Sequence, residues 1–116
     1  MAQDWDRQVD VLVVGSGAGG LLAALVAADH HADVLIVEKA REWGGTSATS
    51  GGGIWIPGSD QAKAAGFDDD LEEAFKYVRG LSADNVPDAI IRAYVNNAAP
   101  MLRWMTANTP LVYTAQ

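Results

Sequence analysis

The sequence predicts an α/β fold: a parallel βαβ unit followed by a helical segment, in a domain that this chain does not complete. Three observations carry that expectation. Two short runs rich in β-branched residues, Val9–Val14 and Asp33–Glu38, bracket a Leu/Ala-rich stretch. Nine of the 12 glycines fall between Gly15 and Gly53, in clusters at 15–20, 44–45 and 51–53. From Leu71 onward the apolar residues recur at helical spacing instead.

Each element has a local reason. The unbroken apolar run Val11–Val14 suits a strand buried on both faces, as in a parallel sheet. Leu21–Ala28 is built of strong helix formers. Asp33–Glu38 repeats the strand pattern. Strand, helix and strand in so short a span make a βαβ unit with a right-handed crossover. A glycine usually ends the helix before the second strand. Here His30-His31 fill that slot, and histidine enters the left-handed region at modest cost. Adjacent residues do not face one another on a helix, so the pair reads as a polar helix end rather than a metal site.

Beyond Pro57-Gly58 the character changes. Ser59–Ala65 reads as a short helix stopped by Gly66. Leu71, Ala74, Phe75 and Val78 share one helical face. Asp68, Asp69, Asp70, Glu72 and Glu73 crowd the start of that helix, while Lys76 and Arg79 lie toward its end, before Gly80. That order matches the helix dipole, so the aspartates read as a helix start rather than a metal cluster. Pro87 opens another helix, with Ile90, Ile91, Tyr94, Val95 and Ala98 inward. Pro100 kinks or ends it, Met101, Leu102 and Met105 continue an apolar face, and Leu111–Thr114 is expected to begin a third strand. No internal repeat or low-complexity tract interrupts the chain. Two strands do not make a doubly wound sheet, whose apolar strands need neighbours on both edges and helices on both faces. The expectation is therefore the front part of a longer protein.

Composition excludes several function classes. The chain has 116 residues, enough for one domain at most, with 8 Lys+Arg against 15 Asp+Glu and a net charge of −7. An acidic chain without a basic stripe lacks the footprint of a nucleic-acid binder. Without cysteine there are no disulfides, thiolate metal sites or cysteine nucleophiles. The uncharged run Val11–Ala28 is interrupted by Gly15, Gly17, Gly19 and Gly20, and neither apolar piece is long enough to span a bilayer. The start, Met1–Asp6, is acidic rather than a positive export signal, so the cytoplasm is the expected compartment.

The first glycine cluster carries chemistry. Gly15-Ser16-Gly17-Ala18-Gly19-Gly20 holds Gly-x-Gly-x-x-Gly after a strand and at the opening of a helix, the Rossmann-like setting of a dinucleotide site. Gly15 permits the tight turn, Gly17 lets backbone approach a pyrophosphate, and Gly20 lets helix pack on strand. The helix N-terminus offers N–H groups and partial positive charge to phosphates. Glu38 ends the second strand 18 residues past Gly20, where a carboxylate accepts hydrogen bonds from the adenosine ribose and repels a 2′-phosphate.

The following segment, Glu38-Lys39-Ala40-Arg41-Glu42-Trp43-Gly44-Gly45-Thr46-Ser47-Ala48-Thr49-Ser50-Gly51-Gly52-Gly53-Ile54-Trp55-Ile56-Pro57, combines a flat glycine pair, four hydroxyls and consecutive backbone N–H groups suited to an anion or to polar ring edges. Here the sequence resembles the flavoprotein group of 3-ketosteroid dehydrogenases and fumarate reductase/succinate dehydrogenase flavoprotein subunits, and most of all the 3-ketosteroid Δ1-dehydrogenases. Asp10–Gly58 matches closely and 59–116 more loosely. The resemblance implies FAD as cofactor, contacted by Gly15, Ser16, Gly17, Ala18, Gly20, Glu38, Lys39, Thr46, Ser47, Ser50, Gly51, Gly52 and Gly53. It implies an FAD-binding βαβ unit and flavin loop over 1–58. Residues 59–116 would be a helical segment leading toward a substrate-binding part.

The resemblance also implies hydride transfer from a steroid-like ketone to the flavin, an apolar small molecule that suits Ile54-Trp55-Ile56. In the family, the tyrosines that act on the substrate lie further along. Tyr77, Tyr94 and Tyr113 do not match them, and no catalytic residue is assigned to this chain. Two other readings stand beside this one: a fumarate-reductase-like flavoprotein, and a non-catalytic nucleotide-binding fragment.

Overall fold

The computed structural model describes residues 4–115; Met1, Ala2 and Gln3 of the acidic start, and Gln116, lie outside them. The chain divides into two compact units, Met1–Gly53 and Ile54–Gln116.

The first unit holds β1 (Val11–Val14), α1 (Ala18–Asp29) and β2 (Val34–Val37). The strands pair in parallel, from Val11 opposite Val34 to Val14 opposite Val37, and α1 packs against both. The left-handed residue expected at the end of α1 is His31, at φ 65°. Its N–H donates to Ala28 O (2.9 Å) and that of Ala32 to Ala27 O (3.1 Å), the paired bonds of a Schellman cap. Histidine thus serves where glycine is usual. α1 begins at Ala18 rather than at Leu21, because Gly17, in extended backbone, serves as its N-cap.

The expected burial of both strands on both faces does not occur. Val13 is buried, but Val14 is 80% exposed, and Leu12, Ile36 and Val37 are exposed as well. The cause is coverage: α1 shields one face, and among the described residues each strand has a single neighbour.

The second unit is helical: α2 (Asp60–Ala64), α3 (Leu71–Leu81) and α4 (Asp88–Asn108). Ser59 caps α2 by accepting from Ala62 N–H, and Asp70 caps α3 by accepting from Glu72 N–H. Asp69 accepts from Gly58 N–H (3.0 Å), so the aspartate run serves turns and helix starts. Ala74, Ile91 and Val95 form the core, with Phe75, Val78 and Val86 packed around it. Arg79 fastens the α3–α4 turn by donating to Val86 O (2.6 Å) and Ala83 O (2.7 Å).

Three helical expectations are corrected. Gly80 lies inside α3, which runs on to Leu81 and closes at Ser82, whose hydroxyl donates to Val78 O. Ile90 and Tyr94 are exposed; the buried stripe of α4 is Ile91, Val95, Ala98, Ala99 and Leu102. Pro100 does not end α4, which continues to Asn108. Pro100 and Asn96 are both exposed, so water can satisfy the carbonyl that a proline at position 100 cannot reach. Leu111–Thr114 is not a strand: it has no ladder partner among the described residues, and Val112 is 84% exposed.

Trp55 stands between Tyr77, edge-on at 5.6 Å, and Tyr94, tilted at 6.2 Å, and Tyr94 Oη–H donates to Trp55 O (2.7 Å). These two tyrosines are engaged in surface packing. Among the described residues no helix is long and apolar enough to cross a membrane, and no three His, Asp or Glu residues gather into a metal-binding group.

Candidate functional site

The candidate site forms where β1 and β2 end. Gly15 turns the chain at φ 97°, a conformation that favours glycine. Its N–H donates to Val37 O at 2.7 Å, carrying the ladder one step past the strand. Val14, Gly15, Val37, Glu38 and Lys39 line an open groove of about 340 Å³ at the carboxyl ends of the strands. In open α/β sheets ligands lie in the crevice at those ends.

The motif glycines have different reasons. A Cβ on Gly20 would lie 2.3 Å from Gly15 O, so Gly20 is demanded by helix-on-strand packing. Gly17 has φ −65°, open to any residue, and a Cβ there would meet nothing within 4 Å. The chain itself does not require glycine at 17. The first-turn N–H groups of α1 lack intrahelical acceptors. One of them, at Ala18, donates to Ser47 Oγ (3.1 Å).

Glu38, just past β2, is held from both sides. Its Oε1 accepts from Ala40 N–H (2.9 Å). Its Oε2 accepts from Ser16 N–H (2.9 Å) and from Ser16 Oγ–H (2.5 Å). These donors, Ala40 first and then Ser16, hold the carboxyl at about 2, well below its ordinary 4.5. A depressed carboxylate stabilises the fold fully above its unfolded value and loses that contribution as pH falls through its folded value. The difference in thermal midpoint between wild type and Glu38→Gln is therefore expected to be full above pH 4.5 and to vanish toward pH 2. Melts across that range check it, and a gap that stays constant down to pH 2 contradicts it.

Ser16 is 2% exposed. While its hydroxyl donates to Glu38, it accepts from Gly44 N–H at 2.9 Å. Gly44 is buried and left-handed at φ 107°, and opens a short 3₁₀ turn over Gly45–Thr49. Gly45 backs onto Gly17: a Cβ on it would be 3.3 Å from Gly17 Cα.

Of the residues expected to contact the cofactor, Gly15, Ser16, Gly17, Ala18, Gly20, Glu38 and Lys39 gather at the strand ends, and Ser47 joins them at the start of α1. Thr46, Ser50, Gly51, Gly52 and Gly53 follow as an exposed run in which Ser50 Oγ accepts from Gly52 N–H (3.1 Å). Gly44 and Gly45 were not on the expected list of contacts, yet they tie the 44–47 segment to the start of α1, while the Ala40 N–H holds Glu38 locally. Their signal was the glycine pair itself.

Comparison with known proteins decides what these segments belong to. Residues 10–115 match the family described as FAD binding domain. The chain belongs to this family. Its cofactor is FAD, and the groove, the opening at Gly17 and the carboxylate at 38 fit the adenosine diphosphate half of that group.

Over 105 residues, or 90% of its length, this FAD-binding chain is 42% identical to a 3-oxosteroid 1-dehydrogenase of Mycolicibacterium smegmatis, of which it spans 18%. It superimposes on a 3-ketosteroid Δ1-dehydrogenase from Sterolibacterium denitrificans, solved with 1,4-androstadiene-3,17-dione, with a TM-score of 0.77 at 42% identity, covering 86% of this chain and 17% of the other. A flavocytochrome c3 fumarate reductase gives a TM-score of 0.79 at 28% identity, covering 88% and 18%.

Proposed function

We propose that this chain holds the adenosine diphosphate half of FAD in an oxidoreductase that dehydrogenates a 3-ketosteroid-like ketone in the cytoplasm. The observation that supports the nucleotide site is the groove at the strand ends, where Gly15 turns the chain and the carboxylate of Glu38 is held beside the start of α1 by Ser16. The substrate class is supported by the 42% identity to a 3-oxosteroid 1-dehydrogenase across 90% of the chain. Bound FAD would supply the hydride acceptor for the ketone's saturated carbon. The chain's own part is binding and orientation. The start of α1 meets the pyrophosphate, Glu38 accepts from the ribose hydroxyls, and Lys39, Thr46, Ser47, Ser50 and Gly51–Gly53 extend the contact toward the flavin.

A fumarate-reductase-like activity is the second reading, favoured by the superposition on the flavocytochrome. The two separate in one anaerobic experiment on the full flavoprotein. A 3-ketosteroid is expected to bleach the oxidised flavin, whereas fumarate re-oxidising dithionite-reduced flavin favours the second reading. Gly17→Val tests the site itself. It is expected to weaken FAD binding roughly 100-fold, the worth of about one charge-assisted hydrogen bond, with at most about 1 kcal/mol lost from the helix cap. Unchanged FAD affinity in that variant overturns the assignment.

A further inference from the structure

We infer that Ser16 is a positioning residue whose hydroxyl, set between Glu38 and Gly44, couples the two cofactor segments: seating the adenosine diphosphate half orders the Gly44–Thr49 turn before any flavin touches it. The inference rests on the nucleotide site proposed above. Ser16 is 2% exposed, and its hydroxyl is engaged by two protein partners. Its single donor is already committed. The hydroxyl proton goes to Glu38 Oε2 at 2.5 Å, an oxygen lone pair takes Gly44 N–H at 2.9 Å, and the Ser16 N–H returns to the same carboxylate oxygen at 2.9 Å.

Two further ties join the same segments. Ser47 Oγ accepts from Ala18 N–H at 3.1 Å, and Gly45 lies against Gly17 so closely that a Cβ would be 3.3 Å from its Cα. Segment 16–18 and segment 44–47 are thus fastened at three points, and at one of them the Ser16 hydroxyl that accepts from Gly44 N–H also donates to Glu38, the carboxylate assigned to the ribose. A ribose hydroxyl donating to Glu38 restrains that carboxylate, the restrained carboxylate fixes the direction of the Ser16 O–H, and a lone pair of the same oxygen then meets Gly44 N–H. Within the turn, Ala48 N–H donates to Gly44 O (3.2 Å) and Ser50 N–H to Ser47 O (3.3 Å), so fixing Gly44 is felt along its length.

Amide hydrogen exchange on the full polypeptide, stripped of flavin, tests this with ADP as the probe. ADP is expected to slow exchange at residues 16–20, and also at Gly44, Ala48 and Ser50, by roughly tenfold, the effect of one well-made hydrogen bond. In Ser16→Ala the slowing at 16–20 remains while the ratio with and without ADP at 44–50 falls to one. A merely structural serine would instead raise exchange at 44–50 equally in both states. Protection at 16–20 with none at 44–50 in the wild type overturns the coupling and leaves the nucleotide site standing. ADP without effect at either segment overturns the nucleotide site, and the coupling with it. The wild-type measurement decides the matter even where the variant does not fold.

Discussion

Gly20→Val is expected to lower the thermal stability of the full flavoprotein by about 3 kcal/mol, at the upper end of the cost of overpacking a close contact. The added Cβ would stand 2.3 Å from Gly15 O and 3.2 Å from Val13 Cγ1. The nearest obstacle is backbone, which has no rotamer to turn aside. Relief requires α1 to lift from β1, and α1 is the element that shields the first unit's apolar face. Valine's slightly better helix propensity than glycine returns only about half a kcal/mol. Since a domain has only about 5–15 kcal/mol of net stability, the melting temperature should fall by several degrees or more. Flavin should dissociate in the same transition. The comparison with Gly17→Val is the informative one: position 20 is expected to cost stability and position 17 affinity. A wild-type melting curve for Gly20→Val would show that helix and strand are not packed as described.

Gly44→Val should cost about 2–4 kcal/mol, the sum of a left-handed backbone forced on an L side chain and a tight contact. The residue sits at φ 107°, and its Cβ would lie 2.7 Å from the Ala48 Cβ. Moving it also pulls its N–H from Ser16 Oγ and leaves a buried hydroxyl short of a donor. Its two causes can be separated. Gly44→Ala combined with Ala48→Gly removes the side-chain contact but leaves the backbone cost, so the double variant should recover about 1 kcal/mol relative to Gly44→Ala alone. Denaturant unfolding of the three variants measures this. Strict additivity of the two single changes would contradict the contact.

Much of the fold was legible because its signals are local. β-branched runs, a Leu/Ala helix and the spacing of Gly15, Gly17 and Gly20 all depend on neighbours along the chain, and the structure returns them as β1, α1, β2 and the turn between strand and helix. His31 was legible for the same reason: the slot needed a positive φ, and histidine tolerates one. The misreadings came where solvent and partners decide. Ile90 and Tyr94 fit the apolar face of α4 by spacing, yet the stripe that meets α3 runs through Ile91 and Val95. Pro100 offered a kink or a stop, and the stop does not occur, because a proline on the exposed side of a long helix leaves its unpaired carbonyl to water. Leu111–Thr114 has strand composition, but composition supplies no partner.

The sequence by itself determined the order of the βαβ unit, the glycine turn after β1 and the presence of a carboxylate at the end of β2, since each is a matter of residue type and short spacing. Only the tertiary structure decided that Ser16 stands between Glu38 and Gly44, partners 22 and 28 residues away. It also decided that Gly20 answers to the fold while Gly17 answers to open space. The physical reason is that a hydrogen bond and a steric contact are set by distance and direction through space, and residues far apart in the chain acquire these only when it has folded.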